Sequence, residues 1–231
     1  MATVLVTGTR RGIGLTFVKH LAQRGDTVYA GVRDPAAALE LQQLAQQYPQ
    51  QVKVVKLDVT SADDIASLKN LLGDQALDLL INNAGIYGPK PDPFGQTDED
   101  AWLDTFRVNC IAPRRITEAL IDNLARATNP KLVFISSKMG SMGDNRSGGA
   151  YIYRSSKAAL NAIAKSMSHD LVNRGVITLI LHPGWVLTDM GGPNAEISTD
   201  YSVTQMLSHI DRATTADNGR FIDIDGSTIP W

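Results

Sequence analysis

The feature that most constrains this chain lies in its first dozen residues. An apolar, β-branched run, Val4-Leu5-Val6, passes directly into Thr7-Gly8-Thr9-Arg10-Arg11-Gly12-Ile13-Gly14. Such a run reads as a strand buried in a parallel sheet. Glycines at its exit let the backbone turn sharply and bring N–H groups up to a phosphate at the N-terminus of the following helix. That helix is expected through Leu15, Phe17, Val18 and Leu21, with Gly25 closing it. The spacing Gly-x-x-x-Gly-x-Gly differs from the G-x-G-x-x-G fingerprint, and no Gly-Lys-Ser/Thr follows as in a P-loop. By itself the motif also fits an ordinary tight strand-to-helix connection.

A strand and helix alternation continues from there. Thr27 to Val32 reads as a second strand, and Asp34-Pro35 as the N-cap and first-turn proline of a helix through Leu39, Leu41 and Leu44. An NAD site would place an acid on the ribose 2′-hydroxyl about twenty residues past the glycines; here the chain has Val32 and Arg33. Asp34 is better placed as a cap than as that acid. Arg10, Arg11 and Arg33 offer planar guanidinium groups suited to a 2′-phosphate. This basic set points to NADP(H), the alternative being solvated surface arginines.

The third strand, Val52 to Leu57, ends in Asp58-Val59, ahead of a polar capping cluster and a helix carrying Ile65, Leu68, Leu71 and Leu72. The carboxyl edge of an open α/β sheet is where ligands bind, so Asp58 can accept a bond from an adenine amino group or cap its own turn. A fourth strand, Leu77 to Ile81, enters Asn82-Asn83-Ala84-Gly85, whose small and amide residues let a flat ligand lie against the backbone. A long helical pattern from Asp98 through Trp102, Phe106, Val108, Ile111, Ile116 and Leu120 contains Pro113. At α-helical spacing this proline leaves the Asn109 carbonyl without its donor. A broken local rule of this kind often marks a functional site; a plain kink is the alternative.

A fifth strand, Leu132 to Ile135, delivers Ser136 and Ser137, and the Gly-, Ser- and Met-rich loop from Lys138 to Gly149 is expected to wall a pocket. Tyr151-Ile152-Tyr153-Arg154-Ser155-Ser156-Lys157 then enters a helix whose apolar face carries Ala158, Leu160, Ile163 and Met167. Tyr153 and Lys157, four residues apart, share one face of it. A sixth strand, Ile177 to Leu181, leads to His182-Pro183-Gly184-Trp185-Val186-Leu187-Thr188, a rigid turn that presents backbone and the Thr188 hydroxyl to a ligand; His182 reads as structural. A short helix, Tyr201 to Ile210, and a last strand, Arg220 to Ile224, complete the pattern.

The 231 residues show no linker, repeat or low-complexity stretch, so one domain over 1–231 is expected. A net charge of -2 argues against nucleic acid or an anionic membrane as the main partner. Apolar runs are strand-sized and no leader pattern is evident, which predicts a cytoplasmic protein. Cys110 is the single cysteine, and His20, His169, His182 and His209 do not fall at metal-ligand spacing, so no metal is expected.

Taken together, Thr7-Gly8-x-x-x-Gly12-Ile13-Gly14, Asn82-Asn83-Ala84-Gly85, Asn109, Ser137, Tyr153-x-x-x-Lys157 and Pro183-Gly184 closely resemble the short-chain dehydrogenase/reductase family over nearly the whole chain. Ile135 to Met142, Tyr151 to Arg154 and the ending Asp225-Gly226-Ser227-Thr228-Ile229-Pro230-Trp231 resemble its C-factor-like and sniffer-type carbonyl reductases. Arg10 departs from the small polar residue that many relatives carry. The resemblance implies a Rossmann-type, doubly wound parallel sheet of about seven strands with helices on both faces and NADP(H) across its carboxyl edge. It implies Tyr153 as general acid/base, Lys157 lowering the phenol's pKa and binding the nicotinamide ribose, Ser137 orienting a carbonyl, and Asn109 supporting a proton relay. Gly8, Arg10, Arg11, Gly12, Ile13, Gly14 and Arg33 would hold phosphates, Asp58 and Val59 the adenine, and Asn83, Ala84 and Gly85 the adenosine-ribose path. Pro183, Gly184, Val186 and Thr188 would hold the carboxamide end. The expected activity is reduction of a small aldehyde, ketone or quinone. A signalling dinucleotide sensor, or an alcohol dehydrogenase, is the alternative, and association as a homodimer or homotetramer is left open.

Overall fold

The computed structural model describes all 231 residues. Seven strands, β1 (Thr3–Thr7), β2 (Thr27–Val32), β3 (Val52–Lys56), β4 (Leu79–Asn82), β5 (Lys131–Ile135), β6 (Ile177–Leu181) and β7 (Arg220–Ile222), form one parallel sheet in the order β3-β2-β1-β4-β5-β6-β7. The helices are α1 (Gly12–Gln23), α2 (Leu39–Gln47), α3 (Ala62–Leu72), α4 (Glu99–Phe106), α5 (Ala112–Ala125), α6 (Tyr151–Asp170) and α7 (Thr199–Arg212). Successive strand residues point to opposite faces, and both faces are covered. Val4 and Val6 of β1 pack with Phe17 and Leu21 of α1, Leu41 of α2 and Met206 of α7. Leu5 between them packs with Ile65 of α3, Ile116 of α5 and Leu160 of α6. This double burial is why the strands read as continuous apolar runs rather than as alternating ones.

The strand order reverses beside β1, which lies between β2 and β4. At such a switch point the connections leave in opposite directions and open a crevice at the carboxyl ends of the strands. The glycine turn after β1 and the Asn82-Asn83-Ala84-Gly85 segment after β4 border it. No helix is long and apolar enough to cross a membrane.

Several boundaries depart from the sequence expectation. Asp34 and Pro35 do not open α2, which starts at Leu39; the Asp34 carboxylate instead accepts the N–H groups of Ala36 and Ala37 in a separate turn. The strand expected from Leu77 begins at Leu79, and the last strand ends at Ile222 instead of Ile224. The long helix around Pro113 is divided into α4, a wide π-helical turn at Arg107–Ile111, and α5. The Ala112 N–H donates five residues back, to the Arg107 carbonyl. In that register the donor missing at Pro113 would have faced Val108, not Asn109, and the proline sits in the first turn of α5, where its fixed φ is tolerated.

Candidate active site

The glycine turn is shaped by contacts that no side chain could share. A Cβ on Gly8, which has φ +72, would stand 2.8 Å from the Ala84 Cα, and one on Gly14 would stand 2.2 Å from the Gly8 carbonyl oxygen. Asn83 ties the two strand exits together, its Nδ2 donating to the carbonyls of Thr7 at 2.8 Å and Gly8 at 3.1 Å. Thr7 Oγ1 accepts the N–H groups of Asn83 and Ala84, each at 3.0 Å. Helix α1 then begins with Arg11 as an N-cap in extended conformation that provides no side-chain acceptor. The first-turn N–H groups at Gly12, Ile13 and Gly14 are therefore open to an anion, with the helix dipole behind them.

Arg10 and Arg33 are exposed and form no ion pair, whereas Arg11 pairs with Asp189 at 2.6 Å. A tight glycine cradle, an uncapped helix start and unpaired guanidinium groups are what a dinucleotide bearing a 2′-phosphate requires. Other expected contacts have local employment. One Asp58 carboxylate oxygen accepts both the N–H and the hydroxyl of Thr60, so the turn-capping alternative is the one observed for that oxygen, and Val59 is buried in the core. Val186 is also buried and bridges to Ile197. Thr188 Oγ1 donates to the Val186 carbonyl and accepts from the Gly191 N–H, and the Thr188 methyl would touch a Cβ on Gly12 at 3.3 Å, which sets the 183–197 loop against the glycine turn.

Ser137 leaves β5 and Tyr153 and Lys157 lie one turn apart on α6, all buried. A Cβ on Gly140 would stand 2.8 Å from the Lys157 main-chain carbonyl carbon, so this glycine allows the turn after Ser137 to lie on α6. Ser137 Oγ accepts from the Met139 N–H at 3.1 Å. Lys157 Nζ donates to the Ile135 carbonyl at 2.9 Å and lies 5.8 Å from the centre of the Tyr153 ring. Asn109 is fully buried in the wide turn, its Oδ1 accepting the Ile86 N–H and its Nδ2 donating to the Ile86 carbonyl, both at 2.8 Å, and to Ser156 Oγ at 3.0 Å. A Cβ on Gly85 would lie 3.2 Å from Asn109 Oδ1 and 3.5 Å from Lys157 Nζ, so Gly85, Asn109 and Lys157 meet at one point.

The electrostatics correct one expectation. The Lys157 ammonium does not bring the Tyr153 phenol below its ordinary value; burial pushes the phenol up to about 12, Ser137 opposing the rise and Tyr87 adding to it. Burial also lowers Lys157 to about 8. Two neighbours of Tyr153 come from loops, and a third loop residue backs one of them. Tyr87 stacks on its ring with centroids 4.4 Å apart and planes 17° apart, and Lys90 Nζ sits 4.0 Å above the Tyr87 ring. Met190 Sδ lies 4.0 Å from the Tyr153 hydroxyl. Sequence patterning gave none of Tyr87, Lys90 and Met190 a role at Tyr153, because loop-to-loop contacts across many residues carry no periodic signal.

The fold and this constellation together define a nucleotide-binding α/β oxidoreductase. Residues 2–198 match the family model for short chain dehydrogenase, and the chain belongs to that family. It is 44% identical over 155 residues, 67% of this chain and 93% of the other, to the C-signal of Myxococcus xanthus. Among solved structures it is similar to the NADPH-bound carbonyl reductase from chicken fatty liver, with TM-score 0.92, 36% identity and coverage of 100% of this chain and 99% of that one. It is likewise similar to the carbonyl reductase Sniffer of Drosophila melanogaster, with TM-score 0.92, 32% identity and full coverage of both chains.

Proposed function

We propose that this protein is an NADPH-dependent reductase of a small aldehyde, ketone or quinone, with Tyr153 as the general acid. The observation that carries this reading is the convergence of buried Ser137, Tyr153 and Lys157 beside a glycine cradle that admits no side chain. NADPH supplies the hydride when bound; the Gly8 to Gly14 turn would hold its pyrophosphate, and Arg10 and Arg33 its 2′-phosphate, with Arg11 joining them on release from Asp189.

The chain's own residues divide the remaining work. Ser137 Oγ donates a hydrogen bond to the carbonyl oxygen and fixes its position. The Tyr153 phenol delivers a proton to that oxygen as negative charge builds on it. Lys157, a cation one turn below, stabilises the phenolate left behind. Asn109 pins the β4 exit to α6 through Ile86 and Ser156, so that Gly85 lies beside Lys157. A phenol held near 12 is protonated throughout the neutral range, which suits an acid in the reductive direction better than a base in alcohol oxidation.

The likeness to C-signal favours one other class, a signalling protein that retains the fold. Oxidation of NADPH, followed by its loss of absorbance with a panel of aldehydes, ketones and quinones, separates the two. Turnover of at least one carbonyl compound is expected; tight dinucleotide binding with none turned over would instead favour the signalling reading.

A further inference from the structure

Tyr153 is flanked by residues from two loops that share one cation. Tyr87, five residues past the end of β4, stacks on the Tyr153 ring at 4.4 Å and 17°. Lys90 Nζ lies 4.0 Å above the Tyr87 ring, and the same ammonium donates to the Met190 carbonyl at 3.0 Å. Met190 in turn places its sulfur 4.0 Å from the Tyr153 hydroxyl. Lys157 Nζ also approaches Tyr153, at 5.8 Å from the ring centre. The result is a column of cation, phenol, phenol and cation, Lys90–Tyr87–Tyr153–Lys157, with Lys90 also fastening the 183–197 loop.

We propose that Tyr87 and Lys90 are positioning residues for proton delivery by Tyr153. Tyr87 sets the plane of the Tyr153 ring, and Lys90 holds Tyr87 in place while setting a second positive charge on the stack. The physical grounds are general. An offset stack fixes ring orientation, and a cation over a ring face strengthens as water is excluded. A positive charge near a phenol favours its ionised form. The two contacts differ in kind: Tyr87 covers a face of the ring, whereas Met190 sets its sulfur beside the hydroxyl. The charged and titratable groups facing this stack are Lys157 from α6, Tyr87 and Lys90 from the β4 exit, and Arg154 and Asp92, which act on Tyr87 in opposite directions.

This inference rests on the reductase reading, and its test has an arm that does not. Lys90→Met keeps the length of the side chain and removes the charge; Lys90→Arg keeps the charge and the ability to lie over a ring. With carbon-13 tyrosine rings, the Tyr153 signals, assigned by their loss in Tyr153→Phe, should lose their ring-current displacement in Lys90→Met and in Tyr87→Leu and keep it in Lys90→Arg. In turnover, Lys90→Met should lower kcat roughly tenfold, a fraction of the 100-fold or more available to a general acid, with KM for NADPH unchanged. The alkaline limb of its pH profile should move upward, because losing a nearby cation makes the phenol harder to ionise, and Lys90→Arg should restore both. Unmoved ring signals in Lys90→Met, or a Lys90→Arg variant as impaired as Lys90→Met, would overturn the proposal. Displaced ring signals in a protein that turns over no carbonyl compound would overturn it as well as the reductase reading, whereas unmoved signals in an active enzyme would overturn the proposal alone.

Discussion

Tyr153 and Lys157 stand one helical turn apart, and burial acts on them in opposite directions, holding one phenol protonated and weakening one ammonium. Removing only the phenolic hydroxyl tests the first. Tyr153→Phe retains the ring and its stack on Tyr87, so dinucleotide affinity should be unchanged while kcat falls by roughly 100-fold or more, measured as NADPH consumption at saturating substrate. Lys157 gives a stability test. Its folded value of about 8 lies below its ordinary 10.5, so below pH 8 the buried ammonium costs of order 3 kcal/mol, at 1.36 kcal/mol per unit. The unfolded chain holds the extra proton between those two values, so stability from this group rises with pH across that window. Lys157→Met should abolish activity yet have its most favourable effect on melting temperature at pH 7. That effect should shrink toward pH 10; a constant difference across the range would show that the ammonium is not desolvated as described.

Among the elements, the wide turn between α4 and α5 matters most, because it carries Asn109 into the site. Its side chain satisfies both main-chain groups of Ile86 and also Ser156. Asn109→Ala would take away the partner of both Ile86 main-chain groups and the donor to the buried Ser156 hydroxyl, and a loss of roughly 1–3 kcal/mol in urea unfolding is expected, with a further fall in kcat as Gly85 and Lys157 lose their register. Pro113→Ala should behave differently. A mid-helix proline costs about 3 kcal/mol, but Pro113 lies in the first turn of α5 after a π-helical turn, so its replacement should change stability by less than about 1 kcal/mol. The paired melting curves check this directly: a large gain in Pro113→Ala would mean that the proline is strained after all. Sequence reasoning located the disturbance in this helix but took its bonds to run four residues back throughout, because a proline declares a missing donor and says nothing of whether the surrounding bonds run four or five residues back.

At the scale of the whole molecule, the dinucleotide crevice couples to folding. A ligand that binds only the native state stabilises it by about 2.7 kcal/mol at a hundredfold excess over Kd. For a chain of this size that is roughly 5–10 °C in melting temperature. NADPH should give the larger shift, NADH the smaller, and Arg33→Asp should reverse or flatten the difference; equal shifts in the unmutated protein would remove the basis for the 2′-phosphate assignment. Acid should act through His182, whose buried ring has an unpartnered Nδ1 and is held down to about 4 from 6.5, chiefly by desolvation. The unfolded chain binds the proton first as pH falls, so stability is lost between those values, by about 3 kcal/mol in full. His182→Gln should flatten that limb in a comparison of urea midpoints at pH 7 and pH 5.

By itself the sequence determined what depends on local order. Apolar β-branched runs, glycine exits and the spacing from Tyr153 to Lys157 marked the parallel strands, the tight glycine turn and the shared helix face. Each is set by period and steric freedom within a few residues, and none of them requires knowledge of the partner element. Only the tertiary structure decided how those pieces meet. It showed Asp58 turned to Thr60, Arg11 engaged by Asp189, and Lys157 joined to the Ile135 carbonyl. It also showed the Tyr153 phenol raised instead of lowered, Tyr87 and Met190 against it, and Lys90 behind Tyr87. Burial and the competition of each polar group among its available partners settle those outcomes. They are sums over atoms that lie close in space and far apart along the chain.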